Sequence, residues 1–309
     1  MRSPHGWRAW LFMAPALSVL GLFTFYPIFC GVLLAFFDFN MLRHTPEGLL
    51  VPPRFVGLEN FQRLLHDRYF WTALTNSILY LLVVPVLQVL SILVAVAVNQ
   101  PLRGVRFFRT ALYVPVVTSV VVVGIAWKWV LRSDGLANRF LEALGIGRLA
   151  QFLGASDLLP VPWLTAPDWA LFSVMFVTLW QGLGYYMILY LAGLQTIPSE
   201  LEEAARLDGA GFWAVFTRIT LPMLRPTLVL CTILSCISAL KVFGEIYVMT
   251  GGGPQNGTLT MVFYIYNRAF EGFEMGYSSA LALVLALVVG LISYVNVRWF
   301  QEGGLQGYD

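Results

Sequence analysis

Charged residues are scarce in this chain, and their scarcity indicates its class. Only 12% of the 309 residues are Asp, Glu, Lys or Arg, whereas soluble domains average about 25%. Apolar residues make up 58% of the chain. The formal net charge of +2 is too small to attract nucleic acid, because nucleic-acid binding needs a concentrated basic surface. The composition therefore predicts an integral membrane protein without a nucleic-acid partner.

Residues that carry disulfide, metal and nucleotide chemistry are also few. The chain has three cysteines, all in apolar stretches, and an odd number of lipid-buried thiols argues against a disulfide framework or a zinc site. Neither of its two lysines follows the glycine-rich approach of a phosphate-binding loop. The three histidines lie outside the long apolar runs, and no nucleophile–base constellation is visible. We therefore expect no enzymatic activity, no metal site and no cofactor on this chain.

Six apolar runs are long enough to cross a bilayer, which takes about 20 helical residues. The first run follows Arg2 and Arg8 and is about twice as long as a signal-peptide core, so we interpret it as a retained span. Prolines inside the runs are compatible with spans, because helix packing in the membrane satisfies the freed backbone groups. The predicted spans lie near 11–37, 72–98, 109–131, 169–194, 219–247 and 278–300.

Six spans place both termini on the same side of the membrane. Lys and Arg are balanced overall between the two sides, but short loops weigh most in setting the orientation. The tight loop NQPLRGVRFFRT carries three arginines and no acid. We therefore expect both termini in the cytoplasm, with external loops near 38–71, 132–168 and 248–277. No internal repeat is visible, and the sequence predicts a single transmembrane domain over 1–309.

The longer cytoplasmic loop in this arrangement is residues 195–218, and its part over 199–218 interrupts the apolar chain with charged residues. Ser199 and Glu202 have the spacing of a capping box at the start of a helix. Asp208-Gly209 predicts the end of that helix, because glycine accepts the left-handed backbone of a C-cap. An apolar stripe at helical spacing follows: Trp213, Phe216 and Ile219. The loop therefore predicts two short helices joined at an angle.

The amino-acid sequence of this loop resembles a known motif. The run EAARLDGA, followed by ITLP, is similar to the EAA loop of ATP-binding-cassette (ABC) importer permeases. The resemblance implies a coupling helix that sits in a cleft of a cytoplasmic ATPase subunit, with a glutamate as its polar anchor and small alanines that allow close approach. The coupling residues that it implies are Glu203, Ala204, Ala205, Asp208 and Gly209.

The resemblance extends over nearly the whole chain. One segment resembles the stretch that leads into the second span of sugar permeases: FVGLENFQRLLHDRYFWTALTNSILY. Two further segments resemble the maltose- and glycerol-phosphate-type subfamily: YLAGLQTIPSELEEAARLDGA and VMTGGGPQNGTLT. Within that subfamily, the chain resembles the larger maltose permease subunit in particular. The chain lacks that subunit's extra N-terminal spans and its large external insertion. The implied fold is an all-α integral membrane protein with the six transmembrane helices of a type I ABC importer permease.

A permease of this kind performs no covalent chemistry. The resemblance implies that ATP and Mg bind to partner ATPase subunits, and that this chain binds no cofactor of its own. The implied function is sugar import across the plasma membrane. The implied partners are a second homologous permease subunit, two cytoplasmic ATPase subunits, an extracytoplasmic sugar-binding protein, the sugar itself and membrane lipid.

Polar residues inside spans are costly and are therefore candidates for function. They gather in TLWQGLGYYMILY of the fourth span and in LSCISALKVFGEIY of the fifth. The maltose-type resemblance implies substrate contacts at Thr178, Gln181, Gly182, Tyr185, Ser235, Ala239 and Val242. Ala239 and Val242 replace polar residues of the maltose system, which puts maltose itself in doubt. Serine and glycine in spans equally suit close helix packing, and this alternative stays open for Ser235 and Gly182.

Lys241 and Glu245 in the fifth span raise two further alternatives. Four residues apart on one helix, they can neutralise each other, and we favour that pairing over direct contact with a sugar. In a rival function, a proton- or sodium-coupled secondary transporter, Glu245 would be the titrating group. The rival gives no reason for the EAA loop, and an intramembrane enzyme lacks suitable residues.

Overall fold

The computed structural model describes residues 6–43, 51–100, 103–147 and 159–302. Two short strands, β1 (Phe37–Asp38) and β2 (Arg54–Phe55), pair antiparallel with Phe37 opposite Phe55. The α-helices in chain order are α1 (Gly6–Leu20), α2 (Tyr26–Leu34), α3 (Glu59–Leu65), α4 (Arg68–Tyr80), α5 (Val83–Asn99), α6 (Val105–Val117), α7 (Val120–Val130), α8 (Leu136–Ala143), α9 (Pro167–Leu194), α10 (Ser199–Leu207), α11 (Phe212–Val215), α12 (Leu221–Met223), α13 (Arg225–Leu240), α14 (Gly244–Met249), α15 (Met261–Tyr266) and α16 (Met275–Glu302). Turns of π-helix occupy Gly21–Phe25, Phe216–Thr220 and Asn267–Glu271.

The helices account for all six predicted spans. Within the described ranges, five helices are long and apolar enough to cross a membrane, or six if one bent pair counts as a single span. The five are Trp10–Leu34, Arg68–Asn99, Pro167–Leu194, Arg225–Met249 and Met275–Arg298, and the bent pair is Val105–Val117 with Val120–Val130. The predicted all-α membrane architecture is therefore confirmed, with the ends of the spans shifted by a few residues.

The third predicted span, 109–131, is wrong as a continuous helix. The chain bends by 101° between α6 and α7, shortly after Pro115, which cannot donate a helical hydrogen bond. The Thr118 hydroxyl donates to the Val114 carbonyl at 2.8 Å. The side-chain nitrogen of Gln181 donates to the carbonyls of Pro115 and Thr118, each at 3.3 Å. Carbonyls at the break thus keep hydrogen bonds, as the interior of a membrane requires.

The fifth predicted span, 219–247, begins later than expected and is interrupted. Prolines occupy the first turns of α12 and α13, where a missing N–H is tolerated, so the spanning helix starts at Arg225. α13 ends at Leu240, and α14 resumes at Gly244 after a short non-helical stretch in which Phe243 has φ −142°. The fifth span is therefore not one continuous helix.

The chain packs as two units, of which the first comprises Met1–Phe70 and Tyr264–Leu287. In this unit the carboxylate of Asp67 accepts hydrogen bonds from the hydroxyls of Tyr264 and Tyr277 and from the N–H of Tyr69. Burial raises the pKa of Asp67, but these hydrogen bonds and the charge of Arg268 outweigh burial and lower the pKa below its usual 3.8. Asp67 is therefore a charged residue that links the two chain segments of the unit.

The second unit comprises Trp71–Phe263 and Val288–Asp309, and α9 packs at its centre. A Cβ on Gly184 would lie 2.0 Å from the Leu112 carbonyl oxygen of α6, and one on Gly193 would lie 2.5 Å from the Thr227 hydroxyl of α13. Glycine at these two positions lets α9 approach both neighbours closely. This packing fixes which face of α9 is left open.

Candidate functional site

The predicted coupling residues lie on α10 and on the turn that ends it. α10 begins at Ser199, directly after Pro198, which has extended backbone (φ −60°, ψ 128°) and makes no side-chain cap. The predicted capping box is therefore wrong, because Ser199 is the first helical residue rather than the cap. Glu202 instead accepts a hydrogen bond from the Thr220 hydroxyl at 3.2 Å and pairs with Arg206 at 3.7 Å. The hydrogen bond ties α10 to the chain that follows α11, whereas the ion pair lies within α10.

Gly209 ends α10 in the left-handed conformation that the sequence predicts, with φ +85°. The N–H of Ala210 donates to the Ala205 carbonyl at 2.9 Å, and the N–H of Gly209 donates to the Arg206 carbonyl at 3.1 Å. These two bonds form a Schellman motif. A Cβ on Gly209 would meet no atom within 4 Å. The position therefore requires glycine for its backbone angle rather than for space.

The end of α10 presents an uncovered surface. The five predicted coupling residues come together there, all exposed except Ala205, which is half-buried. Large apolar side chains beside them are also exposed: Leu207 (89%), Phe212 (55%) and Trp213 (66%). An exposed apolar patch rimmed by polar groups is typical of a protein-binding surface. The arrangement therefore suits a partner protein better than solvent.

A second candidate site is a cavity of about 360 Å³ among α6, α9, α13 and α14. Four of the predicted substrate positions line it: Thr178, Gln181, Gly182 and Tyr185. They recur at intervals of three and four residues on α9 and so share one face. The Tyr185 ring is 41% exposed and packs edge-on against Tyr186, with ring centroids 5.1 Å apart. The cavity thus combines an aromatic ring with polar groups.

Two of these polar side chains already have partners. The Thr178 hydroxyl lies 2.6 Å from the Tyr80 hydroxyl, and the nitrogen of Gln181 binds the carbonyls at the bend between α6 and α7. The Oε1 atom of Gln181 is buried without a hydrogen-bond partner. An unmet buried acceptor costs about 1–3 kcal/mol, so a ligand donor that reached Oε1 would recover part of that energy.

The other three predicted substrate positions lie outside the lining of this cavity and are buried: Ser235, Ala239 and Val242. The side-chain nitrogen of Gln88 donates to the Ser235 hydroxyl at 2.7 Å, and the Tyr190 hydroxyl donates to Gln88 Oε1 at 2.5 Å. This buried network joins α5, α9 and α13. Ser235 therefore supports helix packing, and sugar contact at the three positions stays a prediction.

Three residues of α13 and α14 line the cavity: Leu234, Ser238 and Glu245. The sequence marks Ser238 and Glu245 as polar residues of the fifth span, but it does not lead us to assign them, or Leu234, to the substrate site. Ser238 is exposed, whereas its neighbour Ala239 is buried. Both Ser235 and Ser238 are polar residues in a span, so polarity alone does not separate the two faces of α13. The rotation of α13 about its axis determines which serine faces the cavity, and no residue pattern in α13 predicts that rotation.

The predicted ion pair between Lys241 and Glu245 is wrong. The break between α13 and α14 falls between the two residues, so they do not share one continuous helix and lose the spacing that would join them. In the part of the chain that the structure describes, no ion pair links them. Lys241 is exposed, and Glu245 is half-buried at the cavity.

A resident metal ion has no evident place in the described ranges, where no group of three or more His, Cys, Asp and Glu side chains could hold one. The groups at the two sites are instead of the kinds that bind a protein or a small molecule. The end of α10 offers an exposed apolar and acidic surface, and the cavity offers an aromatic ring, hydroxyls, an amide and a carboxylate.

Comparison with known proteins decides the family. Residues 64–302 match the family described as the binding-protein-dependent transport system inner membrane component. The chain belongs to this family. The permease is 36% identical over 294 residues to the lactose transport system permease protein LacF of Rhizobium radiobacter, covering 94% of this chain and 92% of that protein. It is 32% identical over 290 residues to the multiple sugar-binding transport system permease protein MsmF of Streptococcus mutans, covering 94% and 93%.

Solved structures agree with this assignment. A bacterial ABC transporter involved in the import of the acidic polysaccharide alginate matches the permease with a TM-score of 0.78 and 23% identity, covering 96% of each chain. At this identity the likeness establishes the fold, and the expected type I importer fold is confirmed. The permease is therefore a multi-pass inner-membrane component of a transport system. The alternative of a gradient-driven secondary transporter finds no support in this family.

Proposed function

We propose that this permease is one of two homologous permease subunits of an ATP-driven importer for a di- or oligosaccharide or a related carbohydrate. Near-full-length similarity to permeases named for lactose and for multiple-sugar transport supports the substrate class. The observation that carries the proposal is the exposed helix and left-handed turn at residues 203–209, inside a chain whose family is binding-protein-dependent.

Energy reaches the permease through that turn. Glu203, Ala204 and Ala205 enter the cleft of a cytoplasmic ATPase subunit, and the turn at Asp208 and Gly209 fixes the angle between α10 and α11. Two such ATPases hold ATP and Mg, so this chain binds no cofactor. Closure of the ATPases on ATP moves α10 and its counterpart in the second permease and opens the pathway to the outside.

The sugar passes along the cavity on α9. Tyr185 stacks on the apolar face of a sugar ring, and Thr178 and Gln181 offer hydrogen-bonding groups beside Gly182, where the absent side chain leaves room. Both termini lie in the cytoplasm in this proposal, because the α10 surface has to face the ATPases. An extracytoplasmic sugar-binding protein then delivers the sugar to the opposite side.

Uptake into proteoliposomes tests the proposal. The permease is purified with its co-purifying subunits, reconstituted, and supplied with labelled lactose, a binding protein and internal ATP. We expect uptake that requires ATP and persists when ionophores dissipate the proton and sodium gradients. Uptake that ignores ATP and collapses with the ionophores would contradict the proposal and favour a gradient-driven carrier.

A further inference from the structure

Glu245 contributes a carboxylate to the cavity among α6, α9, α13 and α14, and no counter-charge explains its presence there. The side chain is half-buried. Within the described ranges, no lysine or arginine pairs with it and no other side chain donates to it. An ionisable side chain inside a membrane span is costly and is normally paired or functional. Glu245 is not paired within this chain.

Close helix packing holds Glu245 at the cavity. A Cβ on Gly244 would lie 3.0 Å from a methyl carbon of Val120, and a Cβ on Gly124 would lie 2.9 Å from a methyl carbon of Val248. Glycine on both sides of this contact lets α14 lie directly against α7. The backbone that carries Glu245 is therefore held beside the cavity by this contact.

We infer that Glu245 contacts the transported sugar and excludes anionic carbohydrates from the cavity, an inference that rests on the proposed function. A carboxylate accepts hydrogen bonds from hydroxyl groups and attracts an ammonium group. It repels a second carboxylate, and more strongly in a poorly hydrated site than in water. The described lining of the cavity contains no lysine, arginine or histidine to offset the charge. The transported carbohydrate is therefore uncharged or cationic.

A purely structural role for Glu245 makes a different prediction. The residue lies in the first turn of α14, where an acid compensates the helix dipole. Removing the charge would then lower stability and leave the preference among sugars unchanged. Selectivity among sugars of equal size but different charge separates the two roles.

Three sugars that share the galactose ring provide that measurement: galactose, galacturonate and galactosamine. Their affinities for the permease–ATPase complex in nanodiscs, without binding protein, are measured by saturation-transfer NMR at pH 7. We expect wild type to bind galactose and galactosamine and to bind galacturonate at least about tenfold more weakly. Glu245→Gln keeps the size and an acceptor oxygen, so galacturonate should approach galactose in affinity and galactosamine should weaken.

Two further variants keep the inference testable. Glu271→Gln makes the same chemical change at an exposed carboxylate in a different part of the chain, and it should show the wild-type order of affinities. Ser238→Arg introduces a cation into the same cavity without removing Glu245 and should strengthen galacturonate binding, even if Glu245→Gln fails to assemble.

An order of affinities that neither Glu245→Gln nor Ser238→Arg changes would overturn the inference, as would failure of wild type to bind any of the three sugars. ATP-driven lactose uptake in proteoliposomes keeps these outcomes apart from failure of the proposed function. Uptake with unchanged selectivity contradicts only the role of Glu245, whereas absence of any ATP-driven sugar uptake contradicts the proposed function itself.

Discussion

The end of α10 and the cavity on α9 place their polar groups under different constraints. On α10, the five candidate coupling residues fall within seven consecutive positions, are mostly exposed, and are held by the backbone hydrogen bonds of one turn. The cavity takes its lining from four helices, so each side chain depends on how its helix is rotated and packed. A substitution on α10 should therefore act on a partner surface, whereas one in the cavity also acts on the packing of this chain.

Reversing the charge of Glu203 should have the largest effect. Glu203 is exposed and makes no ion pair among the described residues, so Glu203→Lys should leave the fold intact. In the proposed ATPase cleft the new cation should abolish sugar uptake, measured in whole cells together with the amount of permease in the membrane. Glu200→Lys reverses an exposed acid one turn earlier on α10 and should retain most uptake. Normal uptake by Glu203→Lys would remove Glu203 from the coupling surface.

Gly209 and Gly211 offer a matched pair at the same turn. Gly209 has φ +85°, whereas Gly211 has φ −72°, and added Cβ atoms at both positions would meet open space. A β-branched residue in the left-handed region costs roughly 1–3 kcal/mol, so Gly209→Val should distort the turn and weaken ATPase attachment. Gly211→Val should leave it nearly unchanged. Co-purification of the ATPase measures both variants, and equal attachment would show that the positive φ is not needed for coupling.

Alanine substitutions of Tyr185 and Gln181 should have smaller effects on uptake, and only the change at Gln181 should also lower stability. Tyr185→Ala removes a partly exposed ring from the cavity and should weaken uptake at limiting sugar several-fold without changing the melting temperature of the complex. Gln181→Ala should weaken uptake and also lower stability by about 1 kcal/mol, because the carbonyls of Pro115 and Thr118 at the bend lose the donor that Gln181 provides.

Uptake across a sugar concentration series, thermal unfolding in detergent and an ATPase pull-down separate these two effects. Ile188→Ala serves as the control, because Ile188 is an exposed residue of α9 that lies outside the cavity lining. Wild-type uptake at limiting sugar in both Tyr185→Ala and Gln181→Ala would show that the sugar pocket lies elsewhere in the importer.

The same contrast explains which features could be predicted from the sequence. The positive φ of Gly209 depends on a few neighbouring residues, so the motif Asp208-Gly209 predicts it. The spans depend on apolar length, and all six have a helical counterpart. The close packing of α14 against α7 depends instead on Gly124 and Gly244. These positions are far apart in the sequence, and their contact cannot be inferred from either segment alone.

The helices α9 and α13 differ in how far the sequence predicts which residues face the cavity. Thr178, Gln181 and Tyr185 share a face because helical spacing requires it, and the structure places them together. Ser235 and Ser238 on α13 look alike in sequence, yet Ser235 accepts a hydrogen bond from Gln88 while Ser238 faces the cavity. In a soluble protein, the contrast of apolar and polar faces would orient the helix. Here both faces are largely apolar, so the orientation depends on the neighbouring helices.

Asp67 provides the smallest effect and a test of stability that touches neither site. Because hydrogen bonds and Arg268 lower its pKa in the folded state, Asp67 stabilises the fold above its usual pKa of 3.8, and this stabilisation is lost as the pH falls below that value towards the folded-state pKa. Asp67→Asn should therefore reduce stability at pH 7 by about 1–2 kcal/mol, and the difference from wild type should shrink as the pH drops below about 4.

Thermal unfolding in detergent between pH 3 and pH 7 measures this difference, with Glu271→Gln as an exposed carboxylate control. ATPase attachment and sugar preference at pH 7 should match wild type. A constant difference across the pH range would show that the geometry of the Asn side chain, rather than the charge of Asp67, sets the loss.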